Sequence, residues 1–331
     1  MNSVEQNNIT EEEAELYDRQ IRLWGANVQK ALRNLKILVI GLKGVAAEIS
    51  KNLILSGVKS ITMMDPEKVV EGDINSQYFF YPEDVGQNRA QASLKAAQIL
   101  NPNVVVRADM SSPLDKSISY YSNFDVICVT NQSPEVIICL NDICKLYKIK
   151  FFNGDSFGMF GYIFEDLNET EHVNPQEQVS FQTALNHKWT PNTSIKKRKY
   201  EDPSYLIFKI LIDFYVIHDR KPSRNTYEHD SLTLTKLRKA ILNKFNVEED
   251  ILPMEYLSNV YGEFGPTCSI IGAMIAQQVV KSLSDDFVSP HNLYFFNHLR
   301  CQLTGITVSG ELISQKKEII INSENVVELE V

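Results

Sequence analysis

The chain has 331 residues with a net charge of −9, and 44% of it is hydrophobic against 23% charged. That is the composition of an ordinary soluble globular protein, long enough to bury a core without disulfide staples and too acidic for general nucleic-acid binding. No run approaches 18 uninterrupted apolar residues, so no membrane span is expected, and the polar, acidic first 30 residues lack a secretory signal pattern.

Residues 1–10 read as a disordered tail ending in Thr10, which forms a capping box with Glu13. A helix is expected from there to about Gly25, and a second from Asn27 to Arg33. Lys36 to Ile40 is a continuous apolar run, the pattern of a strand buried on both faces of a parallel sheet. A turn at Gly41–Gly44 leads into a helix from Ala46 to Leu55, ended by Gly57. A second strand, Ser60–Met64, closes on Asp65, 24 positions after Gly41. In outline this is a nucleotide-binding βαβ unit. The alternation continues with a helix Asn88–Leu100, strands at Val104–Val106 and Asp125–Val129, a helix Glu135–Tyr147 and a strand Lys150–Phe152. Such alternation predicts an α/β fold with a doubly wound, Rossmann-like, mostly parallel sheet.

The pattern changes after Gly161. Residues 165–200 are polar and irregular and contain Lys196–Lys199. Two helices are expected next, one capped by Asp202 with an apolar face from Leu206 to Ile217, the other Ser231–Phe245. Gly265-Pro266-Thr267 then introduces a nearly all-apolar helix, Ile270–Leu283, which must be buried against a sheet or a partner. Strands at Leu293–Phe296 and Glu318–Ile321 are expected to complete the sheet. The organisation is therefore a tail (1–10), a Rossmann-like domain (11–165), a linker with a helical insertion (166–258), and a C-terminal helix and strands completing the same domain (259–331).

A dinucleotide turn requires Gly-x-Gly-x-x-Gly, and the three positions here are Gly41, Lys43 and Ala46. The second glycine lets backbone approach a phosphate. Lys43 fills that space, which favours a closed pocket over a working dinucleotide site. The five cysteines form no C-x-x-C pair, so neither a zinc ribbon nor a thioredoxin-like motif is present. Cys128 and Cys268 lie in apolar runs and read as buried thiols of a reducing compartment.

Several stretches together carry a resemblance: Tyr-Asp-Arg-Gln-Ile-Arg-Leu-Trp-Gly at 17–25, the Gly41 turn, Asp65, Asp73–Gln77, Val85–Ala90, Phe264–Pro266 and Phe295-Phe296. They resemble the adenylation fold of the enzymes that activate ubiquitin-like modifiers, and of their bacterial sulfur-carrier relatives. The chain length fits the smaller, non-catalytic subunits of the SUMO-activating branch. In active members an aspartate at the end of the second strand binds ribose, an arginine and a lysine contact the phosphates, and a further aspartate holds Mg²⁺. Only the first of these maps, as Asp65. The arginine position is Ser76, the lysine position is Arg89, and the metal-binding aspartate falls at Gln132. The resemblance thus implies a degenerate pocket at Gly41, Lys43, Asp65, Ser76, Arg89 and Gln132, with no cofactor and no metal of its own. It implies an obligate larger catalytic partner that binds ATP and Mg²⁺, and a SUMO-type modifier, adenylated and then passed as a thioester to the partner's cysteine.

By the same resemblance Arg19 crosses to the partner's ATP site, Arg22 has a weaker supporting role, and Trp24 anchors the dimer interface. The plain alternative for Arg19 is a surface arginine paired with Asp18 or Glu15. Nuclear as well as cytoplasmic residence is expected, and Lys196–Lys199 reads either as an import signal or as the solvated basic end of the next helix. The six histidines show no metal-ligand spacing. Asn153 and Asp155 either line the pocket or serve a turn, the turn being favoured. Two rival functions remain, a nicotinamide-dependent oxidoreductase and a self-sufficient homodimeric adenylating enzyme. Lys43 and Ala46 weigh against the first, and Ser76 and Gln132 against the second.

Overall fold

The computed structural model describes residues 9–168, 179–187, 202–284, 287, 289–308, 321–322 and 325–326. Three short helices open it: α1 (Glu11–Leu16), α2 (Asp18–Trp24) and α3 (Ala26–Leu32). Thr10 and Glu13 form the expected capping box. The single helix expected up to Gly25 is broken at Tyr17. The Tyr17 ring is buried against Gly57, where a Cβ would come within 2.5 Å of it, and its hydroxyl accepts a hydrogen bond from Asn101 Nδ2 at 2.8 Å. Burying this aromatic ring with its polar end satisfied outweighs helix continuity.

The βαβ alternation follows as β1 (Lys36–Ile40), α4 (Gly44–Leu55), β2 (Ser60–Met64), α5 (Glu71–Ile74), α6 (Arg89–Leu100), β3 (Val105–Asp109), α7 (Ile118–Tyr121), β4 (Val126–Val129), α8 (Pro134–Tyr147) and β5 (Lys150–Phe157). The residues flanking these helices show why they start and stop. The Asn88 side chain caps α6 by accepting from Gln91 N at 3.1 Å, and Ser133 and Pro134 open α8. Lys148 ends α8 in the left-handed conformation.

β5 is longer than the sequence indicated and is followed directly by an antiparallel partner, β6 (Phe160–Asp166). Then come α9 (Phe181–Leu185), α10 (Ser204–His218), α11 (Tyr227–Phe245), α12 (Met254–Ser258), α13 (Gly265–Lys281), β7 (Leu293–Asn297) and β8 (Gln302–Ile306). The main sheet has the order β3-β2-β1-β4-β5-β6-β7-β8. Pairing is parallel from β3 to β5 and antiparallel from β5 to β8. Among the described residues β8 ends the sheet. Of Glu318–Ile321 only Ile321 is described, and Ile321–Asn322 (β9) pairs with Asn325–Val326 (β10) as a separate ribbon. Lys196–Lys199 lie outside the described residues.

Helices cover both faces of the sheet. On one face α8, α9, α10 and α11 pack through Ile137, Phe181, Phe208 and Leu234. On the other, α3, α4, α6 and α13 pack through Leu32, Ile49, Ala97 and Ile275. The apolar helix is buried by this chain itself. α13 lies against α4 so closely that a Cβ at Gly272 would come within 2.5 Å of Glu48 Cβ, so its hydrophobicity needs no partner subunit.

Candidate functional site

The strand order reverses between β1 and β4, and the crevice beyond the carboxyl ends of such strands is the ligand site of open α/β sheets. β1 runs into Gly41, held at φ +83, where a Cβ would lie 2.0 Å from the Thr130 carbonyl oxygen. Only glycine fits there. The Thr130 hydroxyl donates to the Gly41 carbonyl, which locks the turn to the end of β4.

The degenerate residues do converge on this crevice, but they face one another. Asp65 accepts the Leu42 N–H at 2.6 Å and the Glu67 N–H at 2.8 Å. Its burial raises its pKa, an effect countered in part by Arg89. Arg89 is itself buried, with Nε 2.8 Å from Asp73 and Nη1 3.7 Å from Asp65. Its charge is thus directed at two protein carboxylates. The Ser76 hydroxyl donates to the Asp73 carbonyl at 3.1 Å, and Gln132 Nε2 donates to the Asn131 carbonyl at 3.0 Å. Lys43 is half-buried at the N-cap of α4 and makes no side-chain capping bond.

The glycine that permits close approach is Gly44, not position 43. A Cβ on Gly44 would meet Cys268 Sγ at 2.7 Å and the Ser76 carbonyl oxygen at 2.9 Å. The space beside the Gly44 Cα is therefore taken by this chain's own sulfur and backbone. Burial pushes the Cys268 thiol up to about 12, so it is no ready nucleophile.

Two residues that sequence reasoning missed complete the site. The Gly44 N–H, at the start of α4, donates to Glu263 Oε2 at 3.3 Å. Lys221 Nζ donates to Asp155 Oδ1 and to the Ser156 carbonyl at 3.3 Å, and lies 4.0 Å from Glu263 Oε1. Burial opposes the Lys221 charge, but Asp155 and Glu263 outweigh it and its pKa is raised. Asp155 also accepts the Asn131 N–H at 3.2 Å. It belongs to β5, so the turn role favoured from sequence is wrong; it lines the crevice. Asn153, in the same strand, donates to the Val129 carbonyl at 2.9 Å and leaves its buried Oδ1 without a partner. Glu263 and Lys221 sit in connecting loops, with no periodicity and no motif to single them out.

Lys221 is delivered by a loop that Asp230 organises. The fully buried Asp230 receives a two-pronged bond from Arg220, Nη1 at 2.8 Å and Nη2 at 2.7 Å. It also accepts from Ser223 N at 2.9 Å and Thr226 Oγ1 at 2.8 Å. Arg220 is the main reason the Asp230 carboxyl is held far below the ordinary value of 3.8. A depressed carboxyl stabilises the fold above its unfolded pKa, and that stabilisation is lost as pH falls through the folded value. Asp230→Asn is therefore expected to lower stability by about 1–3 kcal/mol at neutral pH. The gap between mutant and wild type should close progressively below about pH 4. Urea midpoints measured across that range test this, and a gap that persists unchanged in acid contradicts the ion-pair account.

Phosphates would meet Asp65, Asp155 and Glu263, while Arg89 and Lys221 are already paired. Gln132 offers no anionic oxygen to a hard cation. Among the described residues no group of three or more His, Cys, Asp or Glu is placed to hold a metal ion.

Arg19 and Arg22 lie elsewhere. Gln20, next to Arg19, donates to the Leu55 carbonyl at the carboxyl end of α4, whereas the crevice is at its amino end. The 12 residues of α4 separate the two by about 18 Å at ~1.5 Å per residue. Arg22 Nε pairs with Asp18 at 2.9 Å. The Arg19 side chain is exposed and makes no hydrogen bond or ion pair among the described residues, so the pairing with Asp18 or Glu15 is not formed. Trp24 packs partly against this chain's own core, and its neighbour Leu23 is 71% exposed.

Fold and site together define a doubly wound α/β nucleotide-type domain whose ligand crevice is filled by its own side chains. The chain belongs to the ThiF family, whose model matches residues 17–311. It is 37% identical over 321 residues to SUMO-activating enzyme subunit 1 of Homo sapiens, covering 87% of this chain and 92% of that protein. The corresponding figures are 35% over 324 residues for the Xenopus tropicalis subunit 1, with 87% and 93% covered, and 33% over 326 residues for that of Danio rerio, with 88% and 94% covered.

Proposed function

We propose that this chain is the non-catalytic subunit of a heterodimeric SUMO-activating enzyme. The larger partner binds ATP and Mg²⁺, adenylates the modifier's C-terminal carboxylate and carries the thioester. This chain contributes Arg19 to the partner's ATP site, and half of the dimer. The enzyme works in the nucleus as well as the cytoplasm. The observation that carries the proposal is the position of Arg19. It is exposed and unpaired among the described residues, and it sits at the end of α4 remote from its own crevice. The names of the relatives support the substrate and the partner.

The test is ATP–pyrophosphate exchange in the presence of a SUMO-type modifier. The isolated chain is expected to stay at background, because its cations face its own carboxylates. Addition of the large catalytic subunit should restore exchange. Robust exchange by this chain alone would sink the proposal.

A further inference from the structure

We propose that Glu263 is an internal substitute for a nucleotide's phosphate, with Lys221 as its counter-cation, so that this chain carries a permanently self-liganded crevice. The inference rests on the proposed function only in that the chain's own crevice takes no nucleotide.

Three observations carry it. The first is where Glu263 sits. Its carboxylate accepts the N–H of Gly44, the first residue of α4, and a helix N-terminus with its N–H groups outward is where nucleotide folds hold phosphate. The second is the cation. Lys221 comes from the loop between α10 and α11 and bridges Asp155 to Glu263. Lys221 and Glu263 are nearly buried, at 13% and 11% side-chain exposure, so this is no solvated surface pair. The third is the remaining coordination. Glu263 Oε1 is buried without a hydrogen-bond partner, as for a group placed by its charge and not by a complete hydrogen-bond network.

The charges around the carboxylate are consistent with this. Asp155 and Glu263 bring two negative charges and Lys221 one positive, and the α4 N-terminus supplies roughly half a positive charge. Lys43 borders the same turn, while the single charge of Arg89 is shared between Asp73 and Asp65. An entering phosphate would have to displace Glu263 against its charge, that of Asp155 and that of Asp65.

Removing Glu263 should uncover the latent anion site. Inorganic pyrophosphate is titrated calorimetrically into the full chain as wild type, Glu263→Ala, and Glu263→Ala with Lys221→Met. Wild type is expected to give no saturable heat. Glu263→Ala should bind at least about tenfold more tightly than wild type, since one like charge is removed and the Gly44 N–H is freed, with Lys221 close by. The double substitution should lose that binding again. Should Glu263→Ala not fold, Glu263→Gln keeps the size and removes the charge. The Gly44 amide resonance should then shift by more than those of other glycines remote from residue 263. A folded Glu263→Ala chain that ignores pyrophosphate, or a Gly44 amide indifferent to Glu263→Gln, overturns the substitute while leaving the proposed function intact. Wild type binding pyrophosphate as well as Glu263→Ala does would likewise overturn the substitute, since the crevice would then not be self-liganded.

Discussion

Gly41→Ala is expected to cost this chain about 3–5 kcal/mol of stability, at the upper end of what one substitution does. Two effects add. Gly41 has φ +83, and a residue with a Cβ pays roughly 1–2 kcal/mol to adopt a left-handed conformation. The new Cβ would also lie 2.0 Å from the Thr130 carbonyl oxygen and 2.9 Å from its carbon. Those atoms are backbone, not the free end of a side chain. They cannot retreat without loosening the bond from Thr130 N to the Ile40 carbonyl at 2.9 Å, which holds β4 to β1 in the centre of the sheet. Gly86 is the control, because it has φ +89 with open space where its Cβ would go. Gly86→Ala should show the conformational strain alone, about 1–2 kcal/mol. Urea midpoints of the two variants, measured side by side, separate strain from collision. Equal losses would mean that the approach of β1 to Thr130 is not as tight as the structure has it.

The contrast between those two glycines also bears on what the sequence could reveal. Strands buried on both faces read as unbroken apolar runs, so Lys36–Ile40 and Val126–Val129 were legible, as was the turn glycine between strand and helix. β6 was not legible, because Phe160–Asp166 mixes Gly161, Glu165 and Asp166 with aromatic residues. Its polar members are accommodated by tertiary partners. Glu165 accepts from Gln278 Nε2 at 3.1 Å, and Asp166 from Asn141 Nδ2 at 2.9 Å. Neither bond leaves a local trace. The break at Tyr17 escaped for the same reason, since its cause lies 84 positions away at Asn101.

The site divides along the same line. Gly41, Lys43, Asp65, Ser76, Arg89 and Gln132 occupy fixed offsets in the βαβ units, and their offsets brought them to notice. Lys221 and Glu263 reach the crevice from connecting loops. There a lone lysine or glutamate is ordinarily a solvated charge. What makes them part of the site is that Asp230 folds the 220–226 loop and that the chain entering α13 passes beside Gly44. The apolar helix was legible as buried against a sheet or a partner, and it is the sheet that it covers, Ile275 lying on Gly154 and Ile271 on Gly161, with α4 alongside through Gly272.

Arg19→Ala in the assembled heterodimer is expected to slow modifier adenylation by roughly 10–10³-fold. The reason is electrostatic. On the proposed role, a planar guanidinium would offset charge on phosphates held by the partner, and in a site closed to water such a cation acts at a low effective dielectric. GTPase arginine fingers reach about 10³–10⁵; the smaller figure here reflects the arginine, lysine and Mg²⁺ that the partner's site is expected to keep. The fold should be indifferent, because the Arg19 side chain is exposed and bonds to nothing among the described residues. Melting temperatures of wild type and Arg19→Ala should therefore agree. Arg22→Ala is the internal control. Its guanidinium is tied to Asp18 on the same helix, so it is less free than Arg19 to reach the partner, and its loss should slow adenylation less. Arg19→Lys should restore only part of the activity, since lysine brings a point charge without the fork. The deficit is expected in adenylate formation and not in the later transfer to cysteine. Single-turnover measurements at matched assembly distinguish the two steps. If Arg19→Ala and wild-type heterodimers form adenylate at the same rate, Arg19 is an ordinary surface arginine and contributes nothing to the partner's site.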